Sequence, residues 1–170
     1  MLIGFSVETL SAVSIDKEVP KPYCCFEKEP GLGLHGEYGI ASDPIEVLDS
    51  KTLSIAGFSY KASRTPDGWF FAGQGDQIDQ MTGKKALIVG KDEPHKHCAM
   101  KEDISNQDFI IRLAGNQTIY DIEWLSVFCY RFSHDFGHIE LGLVEDEYLV
   151  PPFIPEVRES APQRKNVVLC

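Results

Sequence analysis

The sequence has little positive charge and no long apolar run, and both absences exclude classes of partner. Lysine and arginine number 16 against 26 aspartates and glutamates, which gives a formal net charge of −10. Nucleic-acid affinity depends mainly on cations that neutralise phosphates, so we expect no nucleic-acid binding. The same balance disfavours an anionic membrane surface. No stretch approaches the roughly 18 apolar residues of a membrane-spanning helix, so we also expect no membrane insertion.

A paired-cysteine motif is also missing. No Cys-x-x-Cys pair occurs, which argues against a zinc ribbon and against a thioredoxin-type redox motif. The cysteines number five, and an odd number leaves at least one thiol unpaired within the chain. They are Cys24, Cys25, Cys98, Cys129 and Cys170. The run from His95 to Cys98 holds three potential metal ligands but no nearby fourth one. We interpret it as a polar loop and expect no metal site.

Short runs of alternating apolar and polar residues fill the middle of the chain. Ile45 and Val47 alternate with polar residues, and the alternation resumes at Leu53 and Ile55, which predicts a β-hairpin. Gly57 then shifts the phase, as a β-bulge would. Turn signals recur about every 8 to 12 residues and no long helical period is present. The pattern predicts an all-β fold, a single antiparallel β-sandwich or barrel-like domain.

Further strands of this β domain are predicted at 68–73, 86–89, 109–113, 124–130 and 136–141. The two ends of the chain have a different character. Residues 1–32 show little periodicity and are interpreted as an irregular N-terminal arm. Residues 144–170 begin with an acidic cluster and contain several prolines, so we expect a loosely held C-terminal tail. The β domain is therefore assigned to residues 33–143.

Cys129 is the residue most informative about chemistry. In the strongest predicted strand, period-two alternation places Leu125, Val127 and Cys129 on one face, and we expect all three to face the core. The other face then carries Trp124, Ser126, Phe128 and Tyr130. An inert buried thiol and a reactive thiolate are both open interpretations of Cys129. Arg131, in the same phase, is the candidate cation that would stabilise the thiolate.

Several separate motifs resemble one known domain. The run from Asp121 to Cys129 reads Asp-Ile-Glu-Trp-Leu-Ser-Val-Phe-Cys, and Phe132 and Asp135-Phe136-Gly137 follow it. Upstream lie His35-Gly36 with Gly39, the strand Leu53 to Tyr60 ending Phe-x-Tyr, and Pro66-Asp67 with Trp69-Phe70 and Gly73. Their order and spacing resemble the DM-thirteen domain, the module of Skeletor and Knickkopf proteins of animal cuticle and matrix. The resemblance covers about residues 33 to 142.

The sequence departs from the family pattern at three places. Phe128 stands where the family has tryptophan, and Asp135 stands where it has asparagine. The residues from Lys61 to Thr65 form a longer loop than the family's Tyr-Asp-Gly. These departures bear on contacts to a bound group and not on the fold.

The resemblance implies a redox or electron-transfer accessory domain that acts through Cys129, either as a bare thiol or as a ligand to a prosthetic group such as haem. It implies a protein redox partner or a matrix component, and an extracellular or cell-surface location. Trp124 and Tyr130 would then lie on an electron path. Whether the domain is itself an enzyme stays open. The alternative is a non-catalytic module that organises extracellular matrix or binds protein or ligand, with Cys129 only part of the core.

Two further expectations concern the surroundings of Cys129. If the domain is extracellular, Cys98 is the expected disulfide partner of Cys129, because the other cysteines lie in the arms. A redox role also requires an opening beside Cys129, near Arg131 or the loop from Lys61 to Thr65. The first residues, however, lack a basic segment and reach Glu8 early, which predicts an intracellular chain or a fragment instead.

Overall fold

The fold comes from a computed structural model that describes residues 23–24, 33–155 and 170. Most of the predicted N-terminal arm, and residues 156–169 of the predicted tail, lie outside the described residues. The boundaries proposed for the three segments therefore stay predictions.

In the described part of the chain, nine strands form two antiparallel sheets. One sheet has five strands in the order β1-β2-β3-β7-β6, and the other has four in the order β5-β4-β8-β9. The strands are β1 (Tyr23–Cys24), β2 (Glu46–Asp49), β3 (Thr52–Tyr60), β4 (Gly68–Gly73), β5 (Gly83–Lys85), β6 (Leu87–Ile88), β7 (Ile104–Arg112), β8 (Trp124–Cys129) and β9 (His134–Glu140), with a short 3-10 helix at Ala62–Arg64.

The core lies between the two sheets because each contributes an apolar face. Leu53 and Ile111 from the five-stranded sheet and Leu125 and Val127 from the other are all 0% exposed. Aliphatic side chains in these positions leave water entirely, which is the main favourable term in folding. The predicted all-β sandwich is confirmed. Among the described residues, no helix is long and apolar enough to span a membrane.

The predicted bulge at Gly57 is present in β3. The register with β7 shifts between Ile55 and Phe58, and Gly57 has a φ of +61°, a conformation that glycine adopts at little cost. Its amide donates to Asp108 Oδ1 at 2.8 Å. With this bulge, the side chains of Phe58 and Tyr60 both point inward. The bulge therefore sets which side chains at the end of β3 face the core.

Two strand regions carry no apolar signal and were missed. β5, Gly83–Lys85, is a Gly-Lys-Lys run at the edge of its sheet, and β7 begins at Ile104, five residues before the predicted start at Phe109. The first half of β7 is largely solvent-exposed, so its polar residues fit a strand without any alternation. Both segments are strands because they hydrogen-bond to a neighbouring strand, and not because of a local alternation of apolar and polar residues.

Segments beyond the two sheets fold back on the sandwich. The Ser50 amide donates to the Pro151 carbonyl at 2.9 Å, and the guanidinium of Arg112 lies 4.5 Å from the Phe153 ring. Cys98 forms a disulfide with Cys170, with 5.6 Å between their Cα atoms. The expected pairing of Cys98 with Cys129 is therefore wrong. A cysteine from the C-terminal tail reaches Cys98, whereas the Cys129 side chain is enclosed in the core.

Candidate functional site

Cys129 ends β8 on the inner face of the four-stranded sheet. It is 1% exposed and belongs to the same core cluster as Leu125 and Val127, which confirms the predicted strand phase. The cysteine is free. Its Sγ donates to the Pro66 carbonyl oxygen at 3.1 Å, a contact between residues 63 positions apart in the chain. The thiol is thus held by the loop that precedes β4.

Tyr60 lies beside this thiol and was not singled out by the sequence. It ends β3, is 0% exposed, and forms a hydrogen bond through its hydroxyl to Thr65 Oγ1. The Thr65 hydroxyl in turn donates to the Ala62 carbonyl at 3.2 Å. Because Thr65 uses its own proton there, its oxygen accepts from the neutral Tyr60 phenol, and its hydroxyl can turn to donate only to an ionised phenol.

Gly68 brings Tyr60 and Cys129 together. In the pairing of β4 with β8, Gly68 stands opposite Cys129, and a Cβ atom at Gly68 would collide with the Tyr60 hydroxyl. Burial raises the pKa of Tyr60, the Thr65 hydrogen bond opposes this, and a negative charge on Cys129 would raise the pKa further. The phenol is therefore neutral at physiological pH and electrostatically coupled to the thiol.

A pocket of about 560 Å³ lies above this pair. Thr65 and Pro66, the two residues that accept from Tyr60 and Cys129, are part of its lining. Arg131 and Lys101 line it as well. Cys129 is not part of this lining and is 1% exposed, so the opening beside Cys129 that a redox role requires stays a prediction. The sulfur itself lies beneath Pro66.

Arg131 does not share the phase of Cys129. Strand β8 ends at Cys129, and Arg131 lies in the turn that leads to β9, so the alternation does not extend to it. That part of the prediction is wrong. The side chain is exposed and its guanidinium lies 5.5 Å from the Phe132 ring. A role for Arg131 in stabilising the thiolate stays a prediction, now acting across the pocket.

Trp124 and Tyr130 lie on the opposite side of the sheet from Cys129. Trp124 and Phe128 form a second buried cluster with Phe71, whose ring centroid is 5.9 Å from Trp124 and 4.5 Å from Phe128. Phe71 also lies 6.2 Å from the Tyr130 ring. Stacked and edge-on contacts join these rings from the interior to the surface, and the β-sheet separates this outer aromatic stack from the thiol.

Two polar features border this outer aromatic stack. Lys85 Nζ lies 3.7 Å from the Trp69 ring centroid and 4.1 Å from that of Tyr130, and burial lowers the pKa of Lys85 while Asp67 opposes the shift. Packing against the aromatic rings replaces part of the favourable hydration that the Lys85 ammonium group loses on burial. Lys85 therefore ties the edge strand β5 to the sheet.

The second feature is a hydrogen-bonded row of three side chains. Ser126 Oγ donates to Asp135 Oδ1 at 2.6 Å, and His138 Nδ1 lies 2.5 Å from Asp135 Oδ2. The carboxylate stands between the serine and the histidine, so His138 cannot take the serine proton as the base of a nucleophilic triad does. The row is a structural network. The His138 side chain is 41% exposed and bound to Asp135.

The surroundings of Cys129 do not fit a haem ligand. An axial thiolate needs an open side on which the iron can lie. Here the thiol is 1% exposed and already bonded to Pro66, so an iron atom would have to displace core packing. Cys98, in the predicted polar loop, is held in its disulfide. No cluster of three or more potential metal-binding side chains occurs among the described residues.

The sequence profile of the family described as "Electron transfer DM13" matches residues 35–141, well over half of the chain. The chain belongs to the DM13 family. A relative, Protein Skeletor isoforms B/C from Drosophila melanogaster, is 32% identical over 133 residues, which is 78% of this chain and 16% of the relative. Isoforms D/E match at the same identity, over 8% of their length. The DM13 chain thus spans a small part of these relatives. No solved structure matches it.

Within the DM13 domain, sequence patterns locate Cys129 but not the residues that surround it. Alternation in β3 predicts that Phe58 and Tyr60 share a face, and the family motif includes that tyrosine. Neither signal shows that Tyr60 meets Thr65 and lies against the strand of Cys129. That contact requires the two sheets to pack face to face.

Proposed function

We propose that this domain transfers single electrons, with the Cys129 thiol as the group that changes oxidation state. The observation that carries the proposal is a free, buried thiol placed beside a buried phenol beneath a pocket. Membership in a family described as electron-transfer supports it. The partner would be a protein that carries a one-electron acceptor or donor.

The reaction balances without a bound cofactor. The Cys129 thiol gives one electron to the acceptor on the partner protein and its proton to water in the pocket, which leaves a thiyl radical. A one-electron donor and a proton from water restore the thiol. Arg131, on the pocket rim, would favour a transient thiolate when the pocket widens.

The proposed location is extracellular or at the cell surface. The disulfide between Cys98 and Cys170 supports this, because disulfides persist mainly in oxidising compartments. The same location suits the second candidate function, a non-catalytic module that binds a matrix component or another protein.

One observation favours that second candidate. Cys129 is 1% exposed and its hydrogen bond goes to a neutral carbonyl, as expected of a thiol that only fills the core. The two candidates therefore differ in whether the thiol can be reached in the folded protein.

Alkylation of the native protein at neutral pH tests this difference. We expect iodoacetamide to label Cys129 without denaturant, as read by peptide mass spectrometry, and the label to be absent in Cys129→Ser. Arg131→Ala should slow labelling about two- to fivefold, the effect of an exposed charge interaction of up to about 1 kcal/mol. Lys84→Ala removes an exposed cation from a different pocket and should leave the rate unchanged.

One labelling result would contradict electron transfer through a bare thiol. If Cys129 reacts only after denaturation, the thiol is a structural core residue and the binding module becomes the better assignment. If Arg131→Ala and Lys84→Ala slow labelling equally, Arg131 has no specific role at the thiol.

A further inference from the structure

Tyr38 lies where the inner side of the domain reaches the surface. Its side chain is 40% exposed, and its ring packs edge-on against Phe136 at a centroid distance of 5.2 Å. Phe136 in turn lies 6.4 Å from the ring of Tyr60. A series of aromatic rings thus leads from the buried phenol beside Cys129 to solvent.

Two other observations link Tyr38 to Tyr60. The Lys61 amide donates to the Tyr38 carbonyl at 2.9 Å, which fixes the turn of Tyr38 against the end of β3. A negative charge on Tyr38 would also raise the pKa of Tyr60, which places the two side chains within electrostatic range of each other. Tyr38 and Tyr60 therefore form a coupled pair, one exposed and one buried.

The backbone at Tyr38 is unusual for a tyrosine. Tyr38 and Gly39 have φ angles of +54° and +71°, and the Ile40 amide closes the turn onto the Glu37 carbonyl. Turns with two left-handed central residues favour asparagine or glycine at the first of them. A side chain with a Cβ costs roughly 1 kcal/mol or more in this conformation. Because the turn keeps a tyrosine in spite of this cost, we look for a function of the Tyr38 ring.

We propose that Tyr38 is the surface terminus of an electron route that runs through Phe136 and Tyr60 to Cys129. This inference rests on the proposed electron-transfer function and adds the place where the redox partner acts. The outer stack of Trp124 and Tyr130 is not part of the route, because the sheet lies between that stack and the thiol.

Each step of the route conserves electrons and protons. The acceptor on the partner takes one electron from Tyr38, whose phenol proton goes to water. Tyr60 then reduces the Tyr38 radical, which regains a proton from water, while the Tyr60 proton passes to Thr65 Oγ1 and Thr65 gives up its hydrogen bond to the Ala62 carbonyl and releases its own proton to water in the pocket. Cys129 finally breaks its hydrogen bond to the Pro66 carbonyl and gives an electron and its proton to the Tyr60 radical. The sum is one electron to the acceptor, one proton to water and a thiyl radical at Cys129.

Photochemical oxidation of the full chain tests the route. Light-generated tris(bipyridine)ruthenium(III) serves as the one-electron oxidant, and a nitrone spin trap captures the thiyl radical as an adduct that mass spectrometry locates at Cys129. Wild type should give the adduct. Tyr38→Phe should lower its yield at least about threefold, and Tyr60→Phe at least about tenfold, the change that about 1.4 kcal/mol of barrier produces.

Two variants separate a route from a structural role. Tyr38→Asn suits the left-handed backbone, so it should unfold at the same or a higher temperature than wild type and yet give the low adduct yield of Tyr38→Phe. Tyr130→Phe removes a comparably exposed phenol, 36% exposed, from the outer face and should keep the wild-type yield.

The result that would overturn the route differs from the result that would overturn the electron-transfer function. An adduct that forms at wild-type yield in Tyr38→Phe, or that falls in Tyr130→Phe instead, overturns the route while Cys129 remains oxidisable. An adduct that is missing from wild type itself overturns the electron-transfer function.

Discussion

The two faces of the four-stranded sheet are both buried but by different means. The inner face, with Leu125, Val127 and Cys129, packs against the five-stranded sheet. The outer face, with Phe71 and Trp124, is covered by the loop after β4, through Ile78 and through the hydrogen bond from Trp124 Nε1 to the Gly75 carbonyl at 3.1 Å. One face is sealed by a sheet and the other by a loop.

The difference between the faces separates two kinds of candidate chemistry. The inner face combines a thiol with a phenol and reaches the surface at Tyr38. The outer face combines stacked rings with the Lys85 cation and reaches the surface at Tyr130. Because the backbone of the sheet lies between them, residues adjacent in sequence, such as Phe128 and Cys129, belong to different sites. Each prediction below tests whether the faces differ as described.

The largest expected effect compares one phenylalanine from each side of the four-stranded sheet. Phe71→Ala on the outer face and Phe58→Ala on the inner side remove rings that are both 0% exposed. Each should reduce the free energy of unfolding by about 3–5 kcal/mol, because a cavity is left in packed surroundings. Chemical denaturation followed by tryptophan fluorescence measures both. A loss below about 1 kcal/mol for Phe71→Ala alone would show that the loop covers the outer face only loosely.

A smaller effect is expected where Gly68 meets Tyr60. Gly68→Ala places a Cβ against the Tyr60 hydroxyl, and such overpacking should destabilise the fold by about 1–3 kcal/mol. Tyr60→Phe removes the hydroxyl, so the double variant should recover part of that loss in a double-mutant cycle. Gly142→Ala is the control, since a Cβ there meets open space. Strictly additive changes would contradict the close contact on the inner face.

The smallest effect is a pH dependence confined to the outer face. The hydrogen bond with Asp135 raises the pKa of His138, with burial opposing. Burial acts to raise the pKa of Asp135, but the hydrogen bonds from His138 and Ser126 outweigh it and hold that pKa below its usual range. The protonated histidine and ionised carboxylate therefore stabilise the fold together.

The sign of the pH dependence follows from the two shifts. The stabilisation is fully present below the ordinary histidine pKa of about 6.5 and is lost as pH rises through the raised value. On the acid side it is lost as pH falls through the lowered value of Asp135. Since the His138 side chain is 41% exposed, we expect less than about 1 kcal/mol. Unfolding free energies at about pH 6 and about pH 8 measure it, and His138→Gln should remove the slope. A slope that persists in His138→Gln would assign the titration elsewhere.

Sequence patterns predicted much of the fold because alternation is a local property. The inward phase of Leu125 and Cys129 and the bulge at Gly57 follow from side chains that alternate every two residues and from one glycine that interrupts them. The edge strand β5 and the start of β7 were not predictable in this way, because pairing partners create them. For the same reason the end of β8 was set one residue late, and Arg131 was assigned a phase it does not have.

Local sequence patterns are enough to establish an all-β domain of the DM13 type, the inward direction of Cys129, and at least one thiol without a partner within the chain. Only the packing of the two sheets and their loops shows that Cys129 bonds to Pro66 and lies near Tyr60, that Cys98 pairs with Cys170, and that the outer face is buried as well. This difference follows from the range of the interactions. The direction of a side chain is fixed within its own strand, whereas contacts between residues 60, 66 and 129 exist only after two sheets and a loop have packed together.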